Sequence, residues 1–383
     1  MNFDLTEEQK SIRETVRKFA EKEVAPRAEE LDRTGEFPYD LVKKCGEIGL
    51  TGLLFPESVG GSNGDTVSWC LGVEEVSRAD MSLGVTIFVS CVNGRLTYEK
   101  TPEDKMQEWI TPVALGEGLA SFGLTEPDAG SDNRSIRTTA FRDGDEVVIN
   151  GTKCFITNAG TKISKFTNVI AQMEPTPEGK KQFGIVVVPT GTPGFTVSKK
   201  YRKMGWRSSD TTELSFEDCR VPVTNIIAEP GEGLRQAFAL LILGRISLAS
   251  SSIGLAQACF DASMKYSQER IQFNKPIASF QRVQDMLVEM MVSIDAARLL
   301  TLKAAVLRDQ GRKYQTEASV AKLYATEVGK RSADLAVQIH GGYGYMDEYA
   351  VSRYYRDIRI ATIGDGTSEI QKMIIARALG CPA

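Results

Sequence analysis

Between Thr6 and about Gly116, apolar positions recur at helical spacing, with Ile12, Val16, Phe19 and Ala20 on one face of the first segment. Thr6-Glu7-Glu8-Gln9 ahead of them reads as a capping box, in which a hydroxyl and an amide satisfy free N–H groups at a helix start. Gly60-Gly61-Ser62-Asn63-Gly64-Asp65 breaks the pattern as a loop, and a helix resumes over 68–77. From Gly118 to Asn225 the period changes. The runs 147–149, 168–172, 185–188, 195–197 and 213–216 are short and β-rich, and turn clusters such as Arg142-Asp143-Gly144-Asp145 and Thr190-Gly191-Thr192-Pro193-Gly194 separate them. That pattern predicts an antiparallel β-domain. After Glu229-Pro230-Gly231-Glu232-Gly233 helical spacing returns and persists, with Pro276 in a predicted inter-helix loop. Residues 281–309 predict one long amphipathic helix carrying Met286, Met290, Ile294 and Ala297 on one side. The expected fold class is α+β: an N-terminal helical domain over 1–117, a middle antiparallel β-domain over 118–228, and a C-terminal helical domain over 229–383.

A length of 383 residues fits two or three domains at about 150 each. Lys+Arg 46 against Asp+Glu 50 leaves a net charge of −4, which argues against a nucleic-acid-binding surface. Seven cysteines form no Cys-x-x-Cys clip, and their odd number suits the reduced thiols of an intracellular, cytoplasmic protein. His340 is the only histidine, so a His-rich zinc site is excluded and a Ser-His-Asp triad would have to use it. The first residues, Met-Asn-Phe-Asp-Leu-Thr-Glu-Glu-Gln, are acidic and helical, unlike a signal or transit peptide. The longest apolar stretch, 237–243, ends at Gly244 and Arg245, short of the ~20 residues a membrane span needs.

Phosphate-binding glycine loops are missing. Gly342-Tyr-Gly344 and Gly231-Glu-Gly233 lack the third glycine of a dinucleotide fingerprint, neither follows a strand, and no Walker loop occurs. Three other segments carry chemical promise. Phe122-Gly-Leu124-Thr125-Glu-Pro-Asp-Ala-Gly130-Ser131-Asp132 combines a rigid turn with small and hydroxyl residues, suited either to close approach by a planar ligand or to an ordinary strand-to-loop transition. Cys154-Phe155-Ile156-Thr157-Asn158 sets an aromatic beside a hydroxyl at a strand end, a pattern that a buried core phenylalanine explains as well. Gln338-Ile339-His340-Gly341-Gly342-Tyr-Gly344 is followed by Ile363-Gly364-Asp365-Gly366-Thr367-Ser368-Glu369. Here an acid between two glycines precedes a helix; its spacing favours an N-cap, and the alternative is a carboxylate aimed into a cleft.

Taken in this order within a helix–β–helix layout, the three segments resemble the acyl-CoA dehydrogenase family. So do Met204-Gly-Trp-Arg-Ser-Ser-Asp210-Thr211, Phe216-Glu-Asp-Cys-Arg-Val-Pro222, Gly231-Glu-Gly233 and Glu269-Arg270-Ile-Gln-Phe273, which extends the resemblance over the whole chain. The resemblance implies a C-terminal four-helix bundle, FAD, a CoA thioester substrate and electron delivery to an electron-transfer flavoprotein. It assigns Phe122, Leu124, Thr125, Gly130 and Ser131, with Phe155, Ile156 and Thr157, to the isoalloxazine; Phe155 stands where the family more often has Trp. Arg270, Gln281, Gln338, Ile339, His340, Gly341 and Gly342 would hold the ADP part of FAD from a neighbouring subunit, which implies a homo-oligomer, expected to be a tetramer. Thr367 and Glu369 would return to the same FAD. Ser131, Arg245, Asp365 and Gly366 fall on substrate-side positions, Arg245 having a structural ion pair as its other reading.

The mechanism implied is removal of the α-proton by a base with loss of a hydride from the β-carbon, the thioester carbonyl being polarised by the base residue's own N–H and a ribityl hydroxyl. The base would be Asp365. Two departures from the family stand at this turn, which commonly reads Tyr-Glu-Gly-Thr and here reads Gly364-Asp365-Gly366-Thr367. A branch resembling isovaleryl-CoA dehydrogenase carries its base on an earlier helix, but that position is Gly244 here. A carboxylate shortened by one methylene reaches about 1.5 Å less far, enough to cost ~100-fold on a linear chain. Together with the space freed at Gly364, this points to a bulky α-substituted acyl group, such as the ring of cyclohexane-1-carbonyl-CoA, or an α-branched short chain. Thr86, Ser90, Cys91 and Asn93 on the helix near the acyl end supply no second acid. Simple α,β-dehydrogenation is therefore expected, against two rivals: a same-fold lyase or desulfinase, and a non-catalytic CoA- or flavin-binding factor.

Overall fold

The computed structural model describes residues 4–382. The capping box forms: Gln9 N donates to Thr6 Oγ1 (3.2 Å) and Thr6 N to Gln9 Oε1 (3.1 Å), starting helix α1, Glu7–Phe19. Helices α2 (Ala28–Thr34) and α3 (Tyr39–Glu47) follow. Asp65 then caps α4 (Thr66–Ala79) through Ser68 N, and α5 (Met81–Tyr98) continues directly from it. Residues 66–77 of α4 are all buried, as are most of those along α5. A helix apolar on every side belongs in an interior. Two short helices, α6 (Glu103–Trp109) and α7 (Thr111–Ala114), lead into the sheet.

The sheet comprises β1 (Leu119–Gly123), β2 (Thr139–Asp143), β3 (Glu146–Thr157), β4 (Ser164–Met173), β5 (Gln182–Pro189), β6 (Phe195–Val197), β7 (Thr211–Pro222) and β8 (Ile226–Ala228). Their order is β6-β7-β3-β2-β4-β5-β8, with β1 beside β4. Most pairs are antiparallel, as expected, but the sheet is mixed: β1 runs parallel to β4 from Leu119↔Ser164 to Gly123↔Val169, and β2 meets β4 in parallel at Thr139↔Gln172. Antiparallel hairpins announce themselves through the turn between their strands. Parallel partners are joined by remote crossovers that leave no local signal.

Three long helices, α8 (Gly233–Glu269), α9 (Gln281–Asp309) and α10 (Gln315–His340), form the C-terminal bundle, with α11 (Ala350–Ile358) and α12 (Ser368–Ala378) packed on α10. Pro276 lies in a small hairpin of β9 (Ile271–Gln272) and β10 (Lys275–Pro276) between α8 and α9. By length and composition α8 could cross a membrane, but 78% of its most apolar window is buried inside the protein, so it is a core helix. It meets α4 so closely that a β-carbon on Gly254 would lie 2.1 Å from Glu74 O. Met290, Ile294 and Ala297 of α9 are buried as expected, and Met286 partly so. The other side of α9 is not polar, however: Val288, Met291, Val292 and Leu299 are exposed, which corrects the amphipathic reading.

Buried carboxylates hold the helices and units together. Glu75 on α4 accepts from Arg13 and Arg17 of α1 (2.8 and 2.6 Å), and Glu74 pairs with Arg298 of α9 (3.0 Å). Asp357 on α11 accepts from the N–H of Trp206, which follows β6 (2.6 Å).

Candidate active site

Asp365 sits between α11 and α12 with φ +52°, and Gly366 follows with φ +88°. Two successive left-handed residues make a tight turn, and Gly366 has no room for a side chain, since a β-carbon there would lie 2.7 Å from Gln371 Nε2. The turn is held from beneath. Gln371 Nε2 donates to both Asp365 O and Gly366 O (3.0 Å each), and Lys322 Nζ on α10 donates to Gly366 O (2.8 Å). Both side chains are buried. The N-cap of α12 is Thr367, whose Oγ1 accepts from Ile370 N (3.3 Å). Asp365 is therefore not spent on capping its own helix.

Its carboxylate points to α8 instead: a β-carbon added to Gly244 would lie 3.3 Å from Asp365 Oδ2. The two positions at which the family resemblance puts a base thus converge on one spot, which the acid fills from one side and a glycine vacates on the other. Burial pushes the Asp365 carboxyl above the usual range, while the neighbouring Lys322 and Arg245 cations pull it back down. Arg245 is itself buried. Its Nη1 contacts Ser319 Oγ at 3.4 Å, and its Nε has no partner. Gly364 is open, a β-carbon there meeting nothing nearer than Ile360 O at 3.7 Å.

The first two segments meet at the ends of β1 and β3. Cys154 N donates to Thr125 O (2.9 Å), and Lys153 Nζ donates to Leu124 O (3.1 Å) and Glu126 Oε1 (2.8 Å). Glu126 also accepts from Arg137 N and Thr138 N (2.7 and 3.0 Å). The carbonyls of 124 and 125 are thereby pinned inward, while the side chains of Phe122, Leu124, Thr125 and Thr157 remain partly accessible and Gly130 and Ser131 are exposed. Ile156 is buried. The β3–β7 register slips between Lys153 and Ile156. At this bulge Phe155 takes φ +60° and turns outward, 66% exposed and 5.6 Å from the Tyr201 ring. Phe155 is thus not a core residue. The polar side chains of α5 are spent on packing: Thr86 Oγ1 donates to Ser82 O, Ser90 Oγ accepts from Ala120 N, and Asn93 Nδ2 donates to Val89 O.

The third segment lies elsewhere. Arg270, Ile339, His340, Gly341 and Gly342 line a cavity of about 520 Å³ together with Tyr266, Tyr343 and Met346. Gln281 and Gln338 are exposed and do not line it. The buried His340 stacks on Tyr266 at 4.3 Å, and its Nδ1 bonds Ala336 O (2.8 Å), so it serves no triad. The Arg270 guanidinium lies 5.5 Å from the Tyr343 ring centroid. None of the residues of the β-side lines this cavity. Glu369 is exposed in the first turn of α12. Sequence reading missed Lys153, Lys322 and Gln371. Lys322 and Gln371 sit on helices, where a polar residue reads as surface; the alanine-rich run around Lys322 was the signal of burial.

A three-part, helix–sheet–helix protein with an acid displaced from capping and a guanidinium-lined cavity has the make-up of a flavin-dependent oxidoreductase. Family models agree along the chain: acyl-CoA dehydrogenase N-terminal domain over 6–117, middle domain over 121–219 and C-terminal domain over 231–380. The chain belongs to the acyl-CoA dehydrogenase family, FAD-dependent oxidoreductases acting on acyl-CoA. It is 49% identical over 381 residues to a probable acyl-CoA dehydrogenase, YngJ, of Bacillus subtilis, covering 99% of this chain and 100% of that one. It is 41% identical to the short-chain specific acyl-CoA dehydrogenase of Clostridium acetobutylicum (98% and 99% covered). The solved butyryl-CoA dehydrogenase of Megasphaera elsdenii superposes with a TM-score of 0.94 at 36% identity (99% and 100% covered). A chain from work on the electron transferring flavoprotein of Acidaminococcus fermentans gives 0.94 at 38% identity (99% of each).

The residues present suit FAD. An arginine beside a glycine-rich helix end offers what a pyrophosphate needs, in a cavity of ordinary ligand size. The pinned 124–125 turn and the outward Phe155 offer an aromatic face and hydroxyls for a flavin ring.

Proposed function

We propose that this protein dehydrogenates a compact acyl-CoA at its α,β-bond, with Asp365 accepting the α-proton, and passes the electrons to an electron-transferring flavoprotein. The observation that carries this is the Asp365 carboxylate set free by Thr367 and facing the gap at Gly244. Bound FAD supplies the hydride acceptor. Phe122, Leu124, Thr125, Gly130, Ser131, Phe155, Ile156 and Thr157 would hold its ring, and Thr367 and Glu369 would meet it from α12. Arg270, Gln281 and residues 338–342 would hold an ADP arm. Because the two sets do not share a cavity within one chain, the second belongs to a neighbour's cofactor in this reading, and the exposed apolar side of α9 suits assembly into a homotetramer.

Asp365 holds the proton that leaves the α-carbon, and its backbone N–H, which has no backbone acceptor among the described residues, polarises the thioester carbonyl. Ser131, Arg245 and Gly366 orient the substrate. The short base and the vacancy at Gly364 favour an acyl group whose α-carbon lies within a ring that carries the thioester directly, with cyclohexane-1-carbonyl-CoA the best fit and an α-branched short chain next. A linear short chain is the second reading, favoured by the short-chain and butyryl-CoA relatives. Anaerobic bleaching of the flavin by a panel of CoA thioesters decides. Faster bleaching by butyryl-CoA than by cyclohexanecarbonyl-CoA removes the ring reading, and substrate turnover that leaves the flavin oxidised would mark a lyase.

A further inference from the structure

Three charged groups converge at the candidate base: the half-buried Asp365 in the turn before α12, the buried Arg245 on α8 and the buried Lys322 on α10. Lys322 is fully buried, and its one hydrogen bond among the described residues goes to Gly366 O at 2.8 Å. An ammonium taken out of water is costly unless an anion and hydrogen bonds compensate it. A backbone carbonyl alone is poor compensation for that cost. The Asp365 carboxylate adds to that compensation by attraction across space.

Resting on the reading of Asp365 as the base, we propose that Lys322 is a positioning residue for that base, fixing the Asp365–Gly366 turn through the Gly366 carbonyl and supplying the positive charge that keeps the enclosed carboxylate ready to take a proton. The two roles are separable. Gln371 already donates to the carbonyls of both Asp365 and Gly366, so the turn has a second clamp. The charge is shared with Arg245, which also pulls the Asp365 carboxyl down but less than Lys322 does, while the remaining charged groups near Lys322, Glu327 on α10 and Glu369 on α12, are anions. Burial pushes Asp365 towards its protonated form, in which it accepts nothing, and the cation opposes that. Burial also lowers Lys322, to about 8. Its charge is therefore in place through the acid and neutral range, where the carboxylate needs it.

The test uses the FAD-loaded enzyme with Lys322→Gln, which keeps a hydrogen-bond donor, Lys322→Met, which keeps neither donor nor charge, and Lys322→Arg, which keeps the charge. Rapid flavin reduction by whichever acyl-CoA bleaches the wild type is followed from pH 5.5 to 9.5. The acid limb is expected to move up by about one pH unit or more in the Gln and Met variants, since a neighbouring opposite charge shifts a carboxyl by that much. This corresponds to about a tenfold loss at low pH, with recovery above pH 9 and a wild-type limb in the Arg variant. A second measurement needs no substrate: infrared absorption of the protonated carboxyl, assigned by its absence in Asp365→Asn, should persist to higher pH in Lys322→Gln. If that variant binds FAD and shows an unshifted carboxyl titration, the proposal is overturned whatever the substrate is. If the titration shifts while no acyl-CoA bleaches the wild type, the dehydrogenase reading fails and the charge assignment stands.

Discussion

Gly244 is the residue where stability and activity should part company. It lies inside α8, where alanine is worth up to about 1 kcal/mol more than glycine. Yet an added methyl would press on Asp365 Oδ2 at 3.3 Å. Gly244→Ala is therefore expected to hold or raise the melting temperature while slowing flavin reduction about tenfold, a split that calorimetry and stopped-flow on one sample can read. An equal fall in both would mean that the gap serves only packing. Asp365→Glu should act through reach: one more methylene advances the carboxylate by about 1.5 Å, raising the rate on linear chains relative to ring substrates. A ratio unchanged by that substitution would show that base length does not set acyl preference. Asp365 stood out in the sequence between two glycines before a helix, but that spacing favoured a cap, and its reading as a base came from the family resemblance. Its alternative reading as a cap falls because Thr367 does that work. Lys322 was missed because a lysine on a helix reads as surface, and only the alanine-rich run around it signals burial.

At the scale of elements, the long helices could be read from the sequence, and α9 has the bounds its periodicity predicts. The loop before α4 and the capping box of α1 were equally clear, because each is decided within a few neighbouring residues. β8 was not, nor was the direction of β1, because pairing with distant strands decides them; β2 was missed although it pairs locally with β3 across the turn at 143–146. The same remoteness hid the Lys153–Glu126 pair, which ties β3 to the turn after β1 and fixes the carbonyl of Leu124. Burial pushes Glu126 up, but Lys153 and the donors at 137 and 138 hold it below the usual carboxylate range. Lys153→Met would leave that carboxylate buried without its cation. Breaking such a pair costs about 3–5 kcal/mol, and the turn it holds is the one assigned to the flavin ring. A lower unfolding temperature together with loss of FAD on gel filtration is expected; a variant that unfolds like the wild type and keeps its flavin would deny the pair any part in the site.

Across the whole molecule, the three units converge on Asp357, which follows from α11 packing against both the helices of the N-terminal part and the loop after β6. Its Oδ1 accepts from Trp206 N at 2.6 Å, and Asp80 before α5 and Asp32 on α2 stand close by. Burial and then the Asp80 charge push Asp357 up to about 7, against the pull of Trp206 N–H and Arg353. In the unfolded chain the same group ionises near 3.9. Between those values the folded protein keeps a proton that the unfolded chain has released, so folding is favoured at the acid end and loses ground as the pH rises. The stabilisation is complete below about pH 4 and fades through pH 7, at up to about 1.4 kcal/mol per pH unit. Acidic partners that stabilise by being ionised work in the opposite direction, which makes the contribution separable by substitution. Asp357→Asn keeps an oxygen for Trp206 and cannot ionise. Its melting temperature, followed from pH 5 to 8, is expected to fall less steeply than that of the wild type and to exceed it at the alkaline end. Parallel curves for the two proteins would mean that Asp357 is already ionised in the folded state, where it still accepts from Trp206 N–H beside the Arg356–Asp32 pair.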